Sequence, residues 1–299
     1  MKYRPKHIVE YLALCIVAGL VRILPYRGAL FIGWLLALVS FHLVRFRRKE
    51  AESRIRQVFG NTLSKRRVSR IAWESWRNVV FDGIEMLLMP RMTLDWIRSV
   101  AGCEPAMTTI KKHSDSGRGG IMACPHMGSW ELGGVSCHLH GIPIFSIAAQ
   151  QKNPLTDRFM NHLRTSPGIV TIARGSGSMK EILKMLKEGK MLAILPDVRM
   201  QTEGVKIAFL GGRANIGIGV GLFARRADVP IFPCFVTRKG WARHQFEVLE
   251  PILPDKSLGN HEDIERMTGI VLRAVDCAIR RDPGQWFWYN KRWILDPLE

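Results

Sequence analysis

From residue 119 onward, short apolar runs alternate with helix-length stretches of mixed polarity, and this alternation restricts the fold more than any other feature of the chain. Each run is about as short as a buried strand. Strands that alternate with helices in this way are typical of an α/β fold. The apolar runs are GGIMACP, IPIFSIAA, GIVTIA, MLAILPD and VPIFPCFV. The remaining segments predict helices at 129–139, 154–165, 177–188, 213–226 and 261–281.

The N-terminal part is apolar in a different way. Residues 11–21 and 29–44 are almost uncharged, and Pro25 between them prevents one continuous helix. The second run with its flanks would span roughly 25 Å as a helix, somewhat less than the ~30 Å hydrocarbon core of a bilayer. A basic cluster at 45–50, RFRRKE, follows directly. Such clusters are typical of protein segments that lie on an anionic cytoplasmic leaflet. We therefore expect N-terminal membrane-anchoring helices that are immersed in the membrane, and the alternative is two buried core helices of a soluble protein.

The excess of positive charge indicates an anionic partner. The 299 residues include 44 Lys and Arg against 26 Asp and Glu, which gives a formal net charge of +18. Nucleic acid and anionic lipid would both satisfy this charge. Because the charge accompanies apolar helices and no nucleic-acid-binding module is recognisable, we expect a membrane partner and no nucleic acid. The six cysteines are scattered singly, which is typical of reduced residues and favours the cytoplasm.

Residues 50–100 carry apolar side chains at intervals of three and four between charges, which predicts helices. No linker, repeat or low-complexity tract separates them from the strands and helices that follow. We therefore expect a membrane anchor with a basic flank at 1–49 and one α/β domain at 50–299, in which residues 50–100 form a helical collar.

The stretch CPHMGSWELGG at 124–134 places a histidine at the end of a predicted strand. Open α/β sheets bind their ligands at this edge, so His126 is a candidate catalytic residue. Glu131, in the first turns of the next helix, could accept a hydrogen bond from one imidazole nitrogen and leave the other to take a proton. The alternative for Glu131 is structural, since an acid in the first turn after an N-cap at Ser129 is favoured by the helix dipole.

Asp197 ends another apolar run, directly after Pro196, and should face the same edge of the sheet. From there it could support His126 or bind an acceptor group, although an Asp after Pro is also a common turn residue. The glycine-rich stretch RGSGS at 174–178 lacks the Lys-Ser/Thr of a P-loop. No cluster of His, Cys and Asp has the spacing of metal ligands, and we expect no metal site.

The residues HMGSWE resemble the NHxGxWE block of the lipid A lauroyl/myristoyl acyltransferases, which is a form of the HxxxxD/E motif, with Pro125 in place of the usual Asn. Further blocks resemble that family in the same order, and Val198 stands where the family usually has Gln. With the N-terminal apolar and basic segments, the resemblance covers nearly the whole chain. The further blocks are ARGSGSMKEILKMLKEG, LAILPDVRM, VKIAFLGGRANIGIGVGLFARRADVPIFPCFV and PGQWFWYNKRW.

The resemblance implies a glycerolipid-acyltransferase-like fold, a mixed sheet flanked by helices, and hence an acyltransferase domain at 50–299. The implied reaction moves a fatty acyl chain from a thioester of acyl carrier protein or coenzyme A to a hydroxyl of an anionic glycolipid, a lipid A precursor. The thioester is then a co-substrate, and no separate cofactor is implied. The implied location is the cytoplasmic face of the bacterial inner membrane.

The resemblance also implies roles for individual residues. His126 would be the general base and Glu131 its orienting partner. Arg174, before the turn at Gly175, would hold the developing oxyanion or a phosphate of the donor or acceptor, or it is simply an exposed arginine at a strand end. Arg292 would contact the phosphates of the glycolipid.

Two other functions stay open from the sequence. One is a lipid-binding tether on the same fold without catalysis, and the other is a thioester hydrolase that uses water in place of the acceptor. The C-terminal tryptophans, including Trp286 and Trp288, could contact the glycolipid at the membrane interface or form the edge of the core.

Overall fold

The fold is taken from a computed structural model that describes residues 3–148, 150–173, 175, 177–202 and 204–295. Helices at the N-terminus and in the collar precede a region in which strands and helices alternate. The α-helices are α1 (Pro5–Ile23), α2 (Tyr26–Leu38), α3 (Arg48–Phe59), α4 (Lys65–Leu88), α5 (Leu94–Val100), α6 (Glu104–Ser114), α7 (Trp130–Leu139), α8 (Pro154–Thr165), α9 (Ser178–Lys187), α10 (Gly219–Ala227) and α11 (Asn260–Arg281). The strands are β1 (Ala101–Gly102), β2 (Gly120–Ala123), β3 (Ile144–Ala148), β4 (Val170–Ala173), β5 (Met191–Ile194), β6 (Val205–Phe209), β7 (Gly212–Ile216), β8 (Ile231–Lys239) and β9 (Arg243–Val248).

Seven of the strands form one sheet in the order β1-β9-β8-β2-β5-β3-β4. Strands β8, β2, β5, β3 and β4 are parallel, whereas β9 pairs with β8 in the antiparallel direction. The predicted α/β fold with a mixed sheet flanked by helices is therefore confirmed. The central strands end side by side at one carboxyl edge, where the loops after β2 and β5 meet.

Helices cover both faces of the sheet. Successive strand residues point to opposite faces, so neighbouring residues of one strand belong to two different cores. Ile121 and Leu192 belong to a core that also includes apolar residues of α9, α10 and α11. Met122 and Met191 belong to a second core with residues of α6 and α7. The apolar runs of β2 and β8 thus correspond to strands that are buried on both faces, whereas the edge strand β4 is partly exposed.

The region 205–227 differs from the prediction. Only residues of α10 are helical in the predicted helix 213–226, and the preceding residues form β7, which pairs with β6 as a separate antiparallel hairpin. The two residues of its turn, Leu210 and Gly211, both have positive φ, at 51° and 80°. This is the geometry of a two-residue hairpin turn, whose twist matches that of the flanking strands. A leucine in this conformation gives no turn signal in the sequence, which explains the error.

The N-terminal helices pack on the α/β domain. Pro25 separates α1 from α2 as predicted, and Ala18, Val21 and Leu30 are part of the core shared with α6 and α7. At Gly33 the backbone of α2 lies so close to α4 that an added Cβ would be 2.8 Å from Cγ1 of Ile84. The anchor and the domain are therefore in contact, and the division at residue 49 stays a prediction.

One helical stretch in the described residues, Tyr26–Leu43, is long and apolar enough to cross a membrane by length and composition alone. Its last five residues form a wider helical turn, Val39–Leu43, that continues α2. The outward faces of α1 and α2 are apolar. The exposed large apolar side chains of α1, α2 and the wider turn that follows are Ile8, Val9, Leu12, Ile16, Leu20, Ile23, Phe31, Leu35, Leu36, Val39 and Leu43.

The C-terminal segment 283–294 packs against α4. Trp286, Trp288 and Trp293 are all buried, so the tryptophans form a core cluster and do not reach a membrane interface. Hydrogen bonds hold the segment to the collar, since Ser75 of α4 donates to the carbonyl of Trp286. The long helix α4 begins after Ser64, whose side chain accepts a hydrogen bond from Arg67 N at 3.2 Å as an N-cap.

Candidate active site

His126 and Asp197 come together at the carboxyl edge of the sheet. Each follows its strand by three residues, His126 after β2 and Asp197 after β5, and these strands are parallel neighbours. The loop after β2 then turns at Gly128, whose φ is +63°. A Cβ at this glycine would be 1.8 Å from the carbonyl oxygen of Val236, so the loop needs glycine there.

Three hydrogen bonds fix the Asp197 carboxylate. Its Oδ1 is 2.9 Å from Nδ1 of His126. Its Oδ2 accepts from the backbone N–H of His126 at 2.8 Å and from the indole N–H of Trp286 at 2.7 Å. Asp197 is fully buried, whereas 23% of the His126 side chain is exposed. The imidazole is therefore held on its buried side and open on the other.

The protonation state of Asp197 determines the tautomer of His126. Burial acts to raise the pKa of the Asp197 carboxyl, but the charge of His126 and the hydrogen bonds from His126 and Trp286 outweigh burial and lower it. An ionised carboxylate can only accept hydrogen bonds, so Nδ1 of His126 carries the proton. The lone pair of the neutral ring is then on Nε2, which is the arrangement of a general base.

The described residues show no hydrogen bond between His126 and Glu131, and the pairing of these two residues stays a prediction. Glu131 instead forms a forked ion pair with Arg164 of α8, at 2.6 Å between Oε1 and Nη2 and 3.3 Å between Oε2 and Nε. The reason is local, because the chain turns at Gly128 and the first turn of α7 brings Glu131 to Arg164 of α8. Among the described residues, the carboxylate that holds the imidazole is Asp197, and support of His126 was one of the two roles that its position in the sequence predicted.

A buried polar cluster contacts the loop that carries His126 and Ser129. Ser129 donates to Oε2 of Glu85 at 2.5 Å, and its Oγ also lies 3.1 Å from Oδ1 of Asp82. Glu85 also accepts both guanidinium branches of Arg238 at 2.7 Å. Burial acts to raise the pKa of Glu85, but Arg238 and His244 lower it well below its ordinary value. Burial, together with the charges of Glu131 and Glu85, raises the pKa of Asp82 well above its ordinary value, so Asp82 is favoured as a neutral acid.

A largely apolar cavity of about 250 Å³ begins at His126 and lies between the sheet and the helices α6 and α7. Its polar wall includes Glu131 and Arg164, the forked pair described above. The remaining lining is mostly apolar and includes Met107, Met122, Cys137, Ile144 and Phe246. Pockets of this kind, apolar with a few polar groups at one end, bind the apolar part of a ligand and orient its reactive part.

The other predicted site residues lie elsewhere. Gly175 is exposed in the loop after the edge strand β4, and it is not among the described residues that line the cavity. Arg292 is exposed near the C-terminus and is also outside that lining. Arg174 falls outside the described residues. In the described ranges, no three His, Cys, Asp or Glu side chains are placed as metal ligands.

Two residues of the site were missed from the sequence. Arg164 was one of many arginines on an amphipathic helix, and nothing in its spacing distinguishes it from a surface residue. Trp286 was considered as a lipid contact or as part of the core edge, and not as a hydrogen-bond donor to Asp197, although a buried indole needs an acceptor for its N–H. The need of a buried indole N–H for an acceptor is the signal that could have identified the hydrogen bond between Trp286 and Asp197.

A histidine oriented by a buried carboxylate, at the open edge of a parallel sheet and at the entrance of an apolar cavity, defines a site for general-base chemistry on a substrate with an apolar chain. The sequence profile of the family described as bacterial lipid A biosynthesis acyltransferases matches residues 2–294. The chain therefore belongs to this family.

Individual relatives are distant. The chain is 25% identical over 188 residues, 61% of its length, to the phosphatidylinositol mannoside acyltransferase of Mycolicibacterium smegmatis. It is 23% identical over 192 residues, 62% of its length, to the protein of the same name from Mycobacterium tuberculosis. It is 23% identical over 183 residues, 60% of its length, to the lipid A biosynthesis acyltransferase of Haemophilus influenzae. These matches span 59%, 57% and 55% of the respective relatives.

Proposed function

We propose that the protein transfers a fatty acyl chain from a thioester to a hydroxyl of a glycolipid, with His126 as general base. The observation that carries the proposal is the pairing of His126 with Asp197 at the entrance of the apolar cavity. It leaves Nε2 with its lone pair beside a space that suits an acyl chain. The family membership supports the transfer of an acyl group.

In the proposed reaction, Nε2 of His126 removes the proton from the acceptor hydroxyl as its oxygen attacks the thioester carbonyl. The positive charge of the resulting imidazolium is stabilised by Asp197 through Nδ1. When the tetrahedral intermediate collapses, the carbon–sulfur bond breaks and the imidazolium returns its proton to the departing thiolate. No covalent acyl-enzyme is needed, since the acceptor itself is the nucleophile.

Arg164 and Glu131 have a different proposed role. They lie in the wall of the same cavity, and Glu131 holds the guanidinium in a fixed orientation. A fixed guanidinium near the reacting carbonyl can stabilise negative charge that develops on its oxygen. Arg174 and Gly175 remain candidates for binding a phosphate of the donor or acceptor, and Arg292 for contacting the glycolipid.

The proposed donor is an acyl thioester of acyl carrier protein or coenzyme A, and the proposed acceptor is a lipid A precursor. The family description supports lipid A, while two of the relatives are named for acylation of phosphatidylinositol mannosides. Both names describe glycolipids, so a sugar hydroxyl on an anionic lipid is the common proposal. The thioester is consumed as co-substrate, and no further cofactor is proposed.

The proposed location is the cytoplasmic face of a bacterial inner membrane, with α1 and α2 embedded by their outward apolar faces. The exposed side chains Val9, Leu12, Ile16 and Ile23 recur at intervals of a helical turn on α1, while the opposite face packs on the protein. Helices that are apolar on the outside and packed on the inside are suited to lying in one leaflet.

Mass spectrometry of membrane glycolipids tests the proposal. Cells that lack the gene would receive the wild-type chain, the His126→Ala variant, or the His261→Ala variant as a matched control at an exposed histidine of α11. We expect one additional acyl chain on a glycolipid with the wild-type and His261→Ala proteins, and none with His126→Ala. Two results together would instead indicate a hydrolase. The wild-type protein would leave the glycolipid profile unchanged, and it would consume the thioester when no acceptor is present.

A further inference from the structure

A second cavity, of about 320 Å³, lies between α4 and the C-terminal segment. Its described lining shares no residue with the cavity at His126. Gly284 and Gln285 form part of its wall, and the next residue, Trp286, holds Asp197. The second cavity is therefore a separate space that adjoins the support of the catalytic pair.

Three arginines line this cavity, and their pairing is unequal. Arg70 forms an ion pair with Glu74 at 2.8 Å, and Arg238 forms a forked pair with Glu85. Arg77 has no carboxylate partner within ion-pair distance in the described part of the chain, and its recorded hydrogen bond is to Oδ1 of Asn78 at 3.2 Å. The cavity thus contains a guanidinium whose charge is not balanced by direct contact.

The environment of Arg77 is costly for a lone cation. Its Nε is buried and has no hydrogen-bond partner among the described residues. Burial, and then the charge of Arg238, lower the pKa of Arg77, although a guanidinium stays charged at neutral pH. The other carboxyl in the wall, Asp282, has a pKa that burial raises above its ordinary value. The charge of Glu74 in the same wall acts against the lowering of the pKa of Arg77, and the ring of Phe81 lies 5.7 Å from the guanidinium carbon. An oxyanion in the cavity would add acceptor oxygens and negative charge for the guanidinium of Arg77.

The cavity also lies beside the apolar N-terminal helices. Trp241 is on its rim, 38% exposed, with its ring centroid 5.5 Å from that of Phe81 and 6.1 Å from that of Trp34 in α2. Indoles at the boundary between apolar and polar surface are typical of the interface level of a membrane. A lipid phosphate would be found at that same level.

We propose that this cavity binds the phosphate group of an anionic membrane lipid, with Arg77 as the principal ligand. The planar guanidinium matches phosphate with two parallel hydrogen bonds, and the partly desolvated setting strengthens them. Free inorganic phosphate has the same binding chemistry, but the position of the rim beside α2 favours a lipid source. This site goes beyond the acyl-transfer reaction and does not depend on it.

Ligand-induced stabilisation of the full-length protein in an uncharged detergent tests this site. The melting temperature would be measured against inorganic phosphate, and against dihexanoyl phosphatidic acid below its micelle concentration, with chloride added to keep ionic strength constant. We expect both compounds to raise the melting temperature more than chloride alone, since each binds the folded state. The lipid should reach half-saturation at a concentration at least about ten times lower than inorganic phosphate does, which is a difference of about 1.4 kcal/mol.

Two variants separate the site from general surface charge. Arg77→Gln should weaken the binding of both compounds by about tenfold or more, whereas Arg66→Gln should bind like the wild type. Arg66 is exposed on the same helix, outside the cavity lining, and its substitution makes the same change in net charge. If Arg77→Gln is poorly folded, Arg77→Lys keeps the charge, and it should still weaken binding because it lacks the planar fork.

Several results would overturn the proposal. Equal stabilisation of the wild type by phosphate and chloride would show that no oxyanion site exists. Wild-type binding by both Arg77 variants, or an equal loss in Arg66→Gln, would mean that Arg77 is not the ligand. Equal half-saturation by phosphatidic acid and inorganic phosphate would rule out the lipid as the source. None of these readings involves acyl transfer, so they leave the proposed reaction unaffected.

Discussion

Replacing Asp197 by asparagine should reverse the tautomer of His126. The Oδ2 atom of Asp197 accepts from two fixed donors, the backbone N–H of His126 and the indole N–H of Trp286. The single amide oxygen of asparagine must take that position, which turns its NH₂ group towards Nδ1 of His126. Because that group donates, Nδ1 must become the acceptor and the ring proton must move to Nε2. The nitrogen that should accept the substrate proton is then blocked.

The expected cost is large in rate and small in stability. The same exchange in a serine protease triad lowers kcat by about 10⁴-fold through the wrong tautomer, and we expect about 10³- to 10⁴-fold here. Exchanging three charge-assisted hydrogen bonds for neutral ones should destabilise the fold by about 1–3 kcal/mol. Because the pKa of Asp197 is lowered in the folded protein, its contribution to stability is present above the ordinary aspartate pKa and is lost as the pH falls through the folded value. The stability difference between the wild type and Asp197→Asn should therefore shrink below about pH 4.

The assay is acyl transfer to a glycolipid acceptor, measured with the melting temperature on the same preparations. Asp263→Asn is the matched control, since Asp263 is also fully buried and pairs with Arg225 and Arg266 away from the cavity. That variant should be less stable while its folded fraction turns over normally. If Asp197→Asn retains turnover within about tenfold of the wild type, the argument from the tautomer is refuted. A large loss in Glu131→Gln alone would then restore Glu131 as the functional partner of His126.

The other predictions concern the cavity wall and the membrane. Glu131→Gln removes the charge that holds Arg164, so it should lower turnover by less than Asp197→Asn and reduce the melting temperature, and Arg164→Gln should give a similar result if the pair acts together. Gly134→Ala adds a methyl group to the cavity wall in α7, where the nearest atom is 3.6 Å away. The substitution should stabilise the helix by about 0.5–1 kcal/mol and shift the transferred acyl chains to shorter lengths in mass spectra. Unchanged chain lengths would argue against the cavity as the acyl site. The double variant Ile16→Asp/Ile23→Asp should be released from vesicles in a flotation assay, because each exposed isoleucine would contribute about 1–2 kcal/mol when it is buried in hydrocarbon. If the double variant were retained as well as the control Ile16→Leu/Ile23→Leu, insertion of this face would be contradicted.

The central strands were predictable because each contains a continuous apolar run. A parallel strand that is covered on both faces has no polar alternation, so runs such as MLAILPD and VPIFPCFV leave little choice of structure. The hairpin of β6 and β7 was not predictable, because Leu210 takes a left-handed conformation that the sequence does not signal. Strand β9 was missed for another reason. Its sequence, RHQFEV, contains only two apolar residues, Phe246 and Val248, with Glu247 between them. Such a weak pattern does not predict a strand, and the segment is extended because it pairs with β8.

The same contrast holds at the candidate site. The position of His126 followed from the end of an apolar run, and Asp197 followed from the end of another, because neighbouring parallel strands end at one edge. The choice between Asp197 and Glu131 as the partner of His126 could not be made from spacing. It depends on the turn at Gly128 and on the packing of α8, which brings Arg164 to Glu131 across 33 positions of the chain.

The most direct test of the account is the rate of a single turnover of acyl transfer by purified His126→Ala, compared with the wild type, at saturating thioester and acceptor. The account predicts a rate lower by about 10²- to 10⁴-fold, and a lower melting temperature because the buried Asp197 carboxylate loses its hydrogen bond from Nδ1. A His126→Ala protein that transfers the acyl chain at the wild-type rate would contradict the central claim.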